Sequence, residues 1–127
     1  LDLLTWMHQN KADYTNTFCY LMDQAIQKND IYKDNDFINW KKRWEERLKS
    51  EDVTPDQYFK LMKTSNPLVI ARNHKVEEAL RAAEKDNLKP VTKLIKILKN
   101  PYQNQKNIID YQTPSDSNKN YQTFCGT

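Results

Sequence analysis

The sequence predicts an all-α fold: about six helices in a compact bundle, followed by an extended, partly irregular C-terminal tail. Three observations carry this prediction. Glycine occurs once in 127 residues, against a usual share of ~7%; hairpins and phosphate-cradling loops need residues that take positive φ, so both are disfavoured. Apolar residues recur at spacings of three and four as far as Leu98, the period of a helix with one buried face. Proline and asparagine punctuate the chain between these runs, where helices stop and start. Periodicity ends after Tyr102, so residues 1–102 form a helical domain and residues 103–127 a tail.

Leu1, Leu4 and Met7/His8 give a short first helix over residues 1–10. Asp13 suits the N-cap of a second, with an apolar face of Tyr14, Phe18, Leu21/Met22 and Ala25/Ile26. A polar connection follows from Asn29-Asp30 to Asn35-Asp36. Asp36 then caps a third helix whose Phe37, Trp40, Trp44 and Leu48 oppose Lys41, Lys42, Arg43, Glu45, Glu46 and Arg47. Thr54-Pro55-Asp56-Gln57 is a strong start signal: Thr54 at N-cap, Pro55 at N1 and Gln57 in the capping-box position. This fourth helix carries Tyr58, Phe59, Leu61 and Met62 and stops near Asn66-Pro67. A fifth presents Val76, Ala79/Leu80 and Ala83 and ends near Asp86-Asn87. Pro90 opens a sixth bearing Val91, Leu94/Ile95 and Leu98, closed by Asn100-Pro101. The faces of helices two, three, five and six are expected to form the core, with Trp40 and Trp44 as large anchors. Ile108, Ile109, Tyr111, Tyr121 and Phe124 are scattered through the tail, which is either disordered or draped over a partner surface.

At this length one modest core is affordable. Hydrophobic content is 38% and charge 29%, so the core is thin and the surface wet. Net charge is only +3, and basic residues alternate with acidic ones. Lys41-Lys42-Arg43 precedes Glu45-Glu46, which favours pairing along one helix over a nucleic-acid face. No apolar run approaches the ~18 residues of a membrane span, and no signal peptide is visible. Two distant cysteines, Cys19 and Cys125, do not make a disulfide framework, which fits a reducing cytoplasm. The opening Leu1-Asp2-Leu3-Leu4 reads as a continuation of something upstream.

Candidate chemistry is sparse. His8 and His74 are far apart, and no H-x-x-x-H or C-x-x-C occurs, so no metal site is expected. Cys19 adjoins Phe18, Leu21 and Met22 and suits a buried, inert thiol. Glu45/Glu46 and Glu77/Glu78 are adjacent in sequence, hence ~100° apart on a helix, not opposed as acid–base chemistry requires. No catalytic residue is assigned. Two segments stand out. In Ile70-Ala71-Arg72-Asn73-His74, Asn73 suits the fifth N-cap, while Arg72 and His74 bring donors to that end. The donors serve either a local cap and ion pair or a contact with a neighbouring domain. The second segment holds Cys125, a thiol three residues from the end beside the lone glycine, open to exchange or oxidation.

The motifs Asn66-Pro67, Ile70-x-Arg72-Asn73-His74-x-Val76-Glu77-x-Ala79-Leu80, Leu94 to Leu98, Asn100-Pro101-Tyr102 and Tyr121-Gln122-Thr123-Phe124-Cys125-Gly126-Thr127 resemble, in order, the C-terminal end of the selenoprotein O family. Lys11-Ala12-Asp13-Tyr14-Thr15-Asn16-Thr17-Phe18 is similar too. Ala71 departs from the family, which often has proline there; proline would fix the chain entering the fifth helix. The resemblance implies a longer parent with a kinase-like fold lacking the usual kinase base, a pseudokinase. Such proteins bind ATP in a flipped orientation with Mg²⁺ or Mn²⁺ and transfer AMP to Ser, Thr or Tyr of protein substrates. No glycine loop, strand lysine or metal-binding aspartate motif of that part is present here. The fragment is thus expected to be non-catalytic, without its own cofactor, and to pack on the kinase-like part of the same polypeptide. The resemblance also implies a redox-regulatory role for Cys125, including a disulfide back to that part. The competing reading is a stand-alone helical protein-interaction module. Neither nucleic acid nor membrane is expected as a partner, and the localisation expected is bacterial cytoplasm.

Overall fold

The computed structural model describes residues 2–23 and 30–115. All regular structure among them is helical: α1 (Leu3–Asn10), α2 (Tyr14–Leu21), a 3₁₀ turn (Asp30–Lys33), α3 (Asn35–Ser50), α4 (Pro55–Ser65), α5 (Asn73–Ala83), α6 (Lys89–Leu98) and the single-turn α7 (Ile109–Gln112). The all-α expectation holds. Side-chain caps set four of the starts. Asp2 accepts from the Thr5 amide at 2.7 Å and Asp13 from the Asn16 amide at 2.9 Å. At α4 the capping box closes both ways: Gln57 N donates to Thr54 Oγ1 at 3.4 Å, and Thr54 N to Gln57 Oε1 at 3.0 Å. The third helix is capped by Asp34, not by the expected Asp36, which sits inside the first turn. Ala25 and Ile26 lie outside the described residues.

With glycine absent from every described turn, other residues take the left-handed conformation: Lys11, Asp23, Asp52, Asp86 and Asn107, with φ between 52° and 64°. Four of the five are Asp or Asn, the side chains that tolerate this region best.

The chain divides into two compact units, Leu1–Pro67 and Leu68–Thr127. In the first, Trp6 and Phe37 are each 1% exposed, with ring centroids 4.7 Å apart, and Leu3, Met7, Leu21 and Tyr32 close around them. Burying each such side chain stabilises by ~1.5–3 kcal/mol. The centre therefore falls on Trp6 and Phe37. The anticipated anchors Trp40 and Trp44 are half-buried, stacked at 5.9 Å, and pack from outside. The polar connection contributes more than expected: its 3₁₀ turn buries Tyr32, which stacks on Tyr20 at 4.1 Å. Thr17 Oγ1 donates to Asp13 O at 2.7 Å and lies 3.2 Å from Tyr32 Oη. A hydroxyl has one proton to donate, so Tyr32 donates to Thr17. Of the predicted α2 face, Leu21 and Met22 are buried and Phe18 packs against the core, whereas Tyr14 faces solvent; Thr17 and Cys19 join the buried side.

In the second unit α5 and α6 pack on each other. Ala79, Leu94 and Ile97 point inward, whereas Leu80 and Ile95 are exposed. The beginning of the segment read as tail is ordered. Ile108 and Gln112 are buried, Gln112 Nε2 donates to Leu68 O at 2.7 Å, and Leu68 N donates to Pro101 O at 2.7 Å. Gln105 Nε2 donates to Ile97 O and Asn100 O, satisfying carbonyls at the α6 C-terminus.

Candidate functional site

Arg72, Asn73 and His74 sit at the start of α5, but not as the cap expected. Arg72 occupies the N-cap with extended backbone (φ −84°, ψ 130°) and Asn73 is the first helical residue, exposed, with no side-chain cap hydrogen bond at this end. Asn73 lies one position too late for its oxygen to serve as the N-cap acceptor. The Arg72 carbonyl instead accepts from the Lys75 and Val76 amides, each at 3.0 Å. Arg72 and His74 are half-buried.

His74 borders an open cleft of about 610 Å³ within the second unit, formed by α5, the start of α6 and α7. Lys75, Glu78, Lys89, Lys93, Asp110 and Tyr111 contribute its charged and aromatic wall. Lys75 Nζ is 3.4 Å from Glu78 Oε2 and 5.7 Å from the centroid of the Tyr111 ring, so two attractions hold its ammonium. Sequence reading missed this cleft because Tyr111 lies in a segment without helical period. The one available signal was Lys89/Lys93 at i, i+4 beside Pro90. Three lysines and two carboxylates give a mixed-charge surface suited to a polar partner.

Cys19 is fully buried, its Sγ 3.7 Å from the Pro67 carbonyl, consistent with an inert thiol. Cys125 lies outside the described residues. Among the described residues no three His, Cys, Asp or Glu side chains group as they would to hold a metal ion. The one glycine of the chain is Gly126, so its sequence holds no glycine-rich phosphate loop. No helix among the described residues is long and apolar enough to cross a membrane.

Comparison with known proteins covers nearly all of this sequence. A family model described as protein adenylyltransferase SelO matches residues 1–99. A protein nucleotidyltransferase YdiU of Pelagibacter ubique is 47% identical over 128 residues, covering 100% of this chain and 26% of the relative. The proteins of the same name from Bacillus mycoides and Syntrophotalea carbinolica are 45% and 42% identical, over 98% and 99% of this chain and again 26% of each relative. The chain thus spans about a quarter of the length of the curated relatives it matches. On this match the chain belongs to the protein adenylyltransferase SelO family.

Proposed function

We propose that this chain is the C-terminal helical region of a longer SelO-type protein adenylyltransferase, and that it supports transfer of AMP from ATP to protein hydroxyls without performing it. The observation that carries this reading is 47% identity across the whole chain to a protein named as a nucleotidyltransferase and about four times as long. Its place at the C-terminal end rests on the T-F-C-G-T resemblance. ATP and Mg²⁺ or Mn²⁺ are assigned to the kinase-like remainder, as the family resemblance implies. Arg72, Asn73 and His74 are the expected contact with that remainder, and the cytoplasm is the expected compartment.

In the same reading Cys125 is a redox latch. Its thiolate forms a disulfide with a second thiol of the polypeptide; two electrons pass to an oxidant such as a peroxide, and the thiol protons leave with the reduced product. A reductant reverses the step.

The test is an AMP-transfer assay on the full-length protein, wild type against Cys125→Ala, with dithiothreitol or with peroxide. The full-length protein is expected to label substrate proteins and the isolated chain to label none. Wild type is expected to change activity with oxidant while Cys125→Ala does not. No transfer by full-length protein would sink the adenylyltransferase reading. An unchanged oxidant response in Cys125→Ala would sink the latch alone.

A further inference from the structure

The sixth helix has more apolar surface than its own unit covers. At ~100° per residue, Pro90, Leu94 and Ile97 fall in an arc of ~60°, and Leu88, Val91, Ile95 and Leu98 in a separate, adjoining arc of ~80°. Leu94 and Ile97 are buried. In the second arc Leu88 is 63% and Ile95 50% exposed, with Val91 and Leu98 half-buried. Single exposed hydrophobics are ordinary, but here two exposed and two half-buried apolar side chains line up in one helical row, a stripe of the kind that is made to be covered.

We propose that this stripe is a docking face for the part of the same polypeptide that lies outside residues 1–127. The occupant follows from length. Relatives align to this chain over only 26% of their own residues, so most of the polypeptide of such a protein remains to pack somewhere. An intrachain occupant is present at high effective concentration and needs no large interface to stay bound. A second copy would need a broader apolar patch than one helical row of four. This inference rests on the reading that the chain is part of a longer protein. It deepens that reading by naming the surface that carries the packing.

The experiment uses the full-length protein with Ile95→Cys, alongside Lys96→Cys on the polar side of α6 as reference. Both changes are small and surface-placed, and peptide mass spectrometry separates each new thiol from Cys19 and Cys125. Maleimide labelling at position 95 is expected to be about tenfold or more slower than at position 96, since thiol reactivity follows exposure. A benzophenone maleimide placed at position 95 is expected to cross-link to a peptide outside residues 1–127. Equal labelling rates at the two positions would overturn the proposal. So would a cross-link to any residue of 1–127, or to a second copy seen as a dimer band. Neither readout depends on AMP transfer, so failure here and failure of the adenylyltransferase reading are told apart by the separate activity assay.

Discussion

Asp34 holds two elements with one oxygen. Its Oδ1 accepts from the Trp6 indole at 2.7 Å, the Asp36 amide at 3.1 Å and the Phe37 amide at 3.2 Å, joining α1 to the start of α3. Asp34→Ala removes a cap worth ~1 kcal/mol and strands a buried indole N–H at a further ~1–3 kcal/mol. Urea unfolding should show a loss of about 2–4 kcal/mol from these two effects, with Asp34→Asn losing much less. At Lys11, φ is 52° and the side chain offers none of the local bonding of Asp or Asn. Lys11→Gly should therefore stabilise, by about 0.5–1 kcal/mol once the glycine's extra chain entropy is subtracted. Asp2 gives a pH test. The Thr5 backbone amide and then its side chain hydrogen-bond the Asp2 carboxylate and hold it below its ordinary 3.8. A depressed folded pKa contributes stability that is fully present above the unfolded value and lost as pH falls through the folded one. Protection of the Thr5 amide, its exchange rate relative to an unstructured amide at the same pH, should fall only as pH drops below about 3.8, and Asp2→Asn should abolish that acid dependence.

Elements were legible where local chemistry settles them. The capping box of Thr54 and Gln57 specifies α4 with no outside help, and Thr54→Ala should cost about 1 kcal/mol, read in the same unfolding experiment. Lysine–glutamate and arginine–glutamate spacings of four along α3 and its C-cap likewise form as pairs, the half-buried Lys41 with Glu45 and the exposed Arg47 with Glu51; the exposed pair adds little to stability. Element faces were less legible. On α2 the predicted Tyr14 turns outward and Thr17 inward, because Thr17 satisfies its hydroxyl on Asp13 and Tyr32 and so can be buried. Periodicity counts apolar residues and cannot see that a polar one has found partners. The same blindness hid the ordered start of the tail. Gln112 is buried because Leu68, 44 positions away, supplies its acceptor.

At the scale of the whole molecule, two compact units replace the single core that four helix faces suggested. The aromatic wealth of the chain concentrates in the first, where a run of ring contacts extends from Trp6 through Phe37, Trp40 and Trp44 to Tyr58 and Phe59. Phe37→Ala should remove about 3–5 kcal/mol from that unit, measured by exchange of its α1 and α3 amides. In the second unit the same hydrophobic period produced both the buried row of α6 and the exposed one. A helix pattern states that an apolar face exists; it does not state what covers it. By itself the sequence determined the helical class, the family and most helix boundaries, since propensity, capping and breakers act within a few residues of one another. Tertiary structure alone decided that Trp6 and Phe37 are central, that Asp34 is the cap, and that Tyr111 faces Lys75 across a cleft. The cap bonds of Asp34 are themselves local, but its bond to the Trp6 indole, like the Trp6–Phe37 and Lys75–Tyr111 contacts, joins residues distant in the chain, and no local pattern encodes such partners.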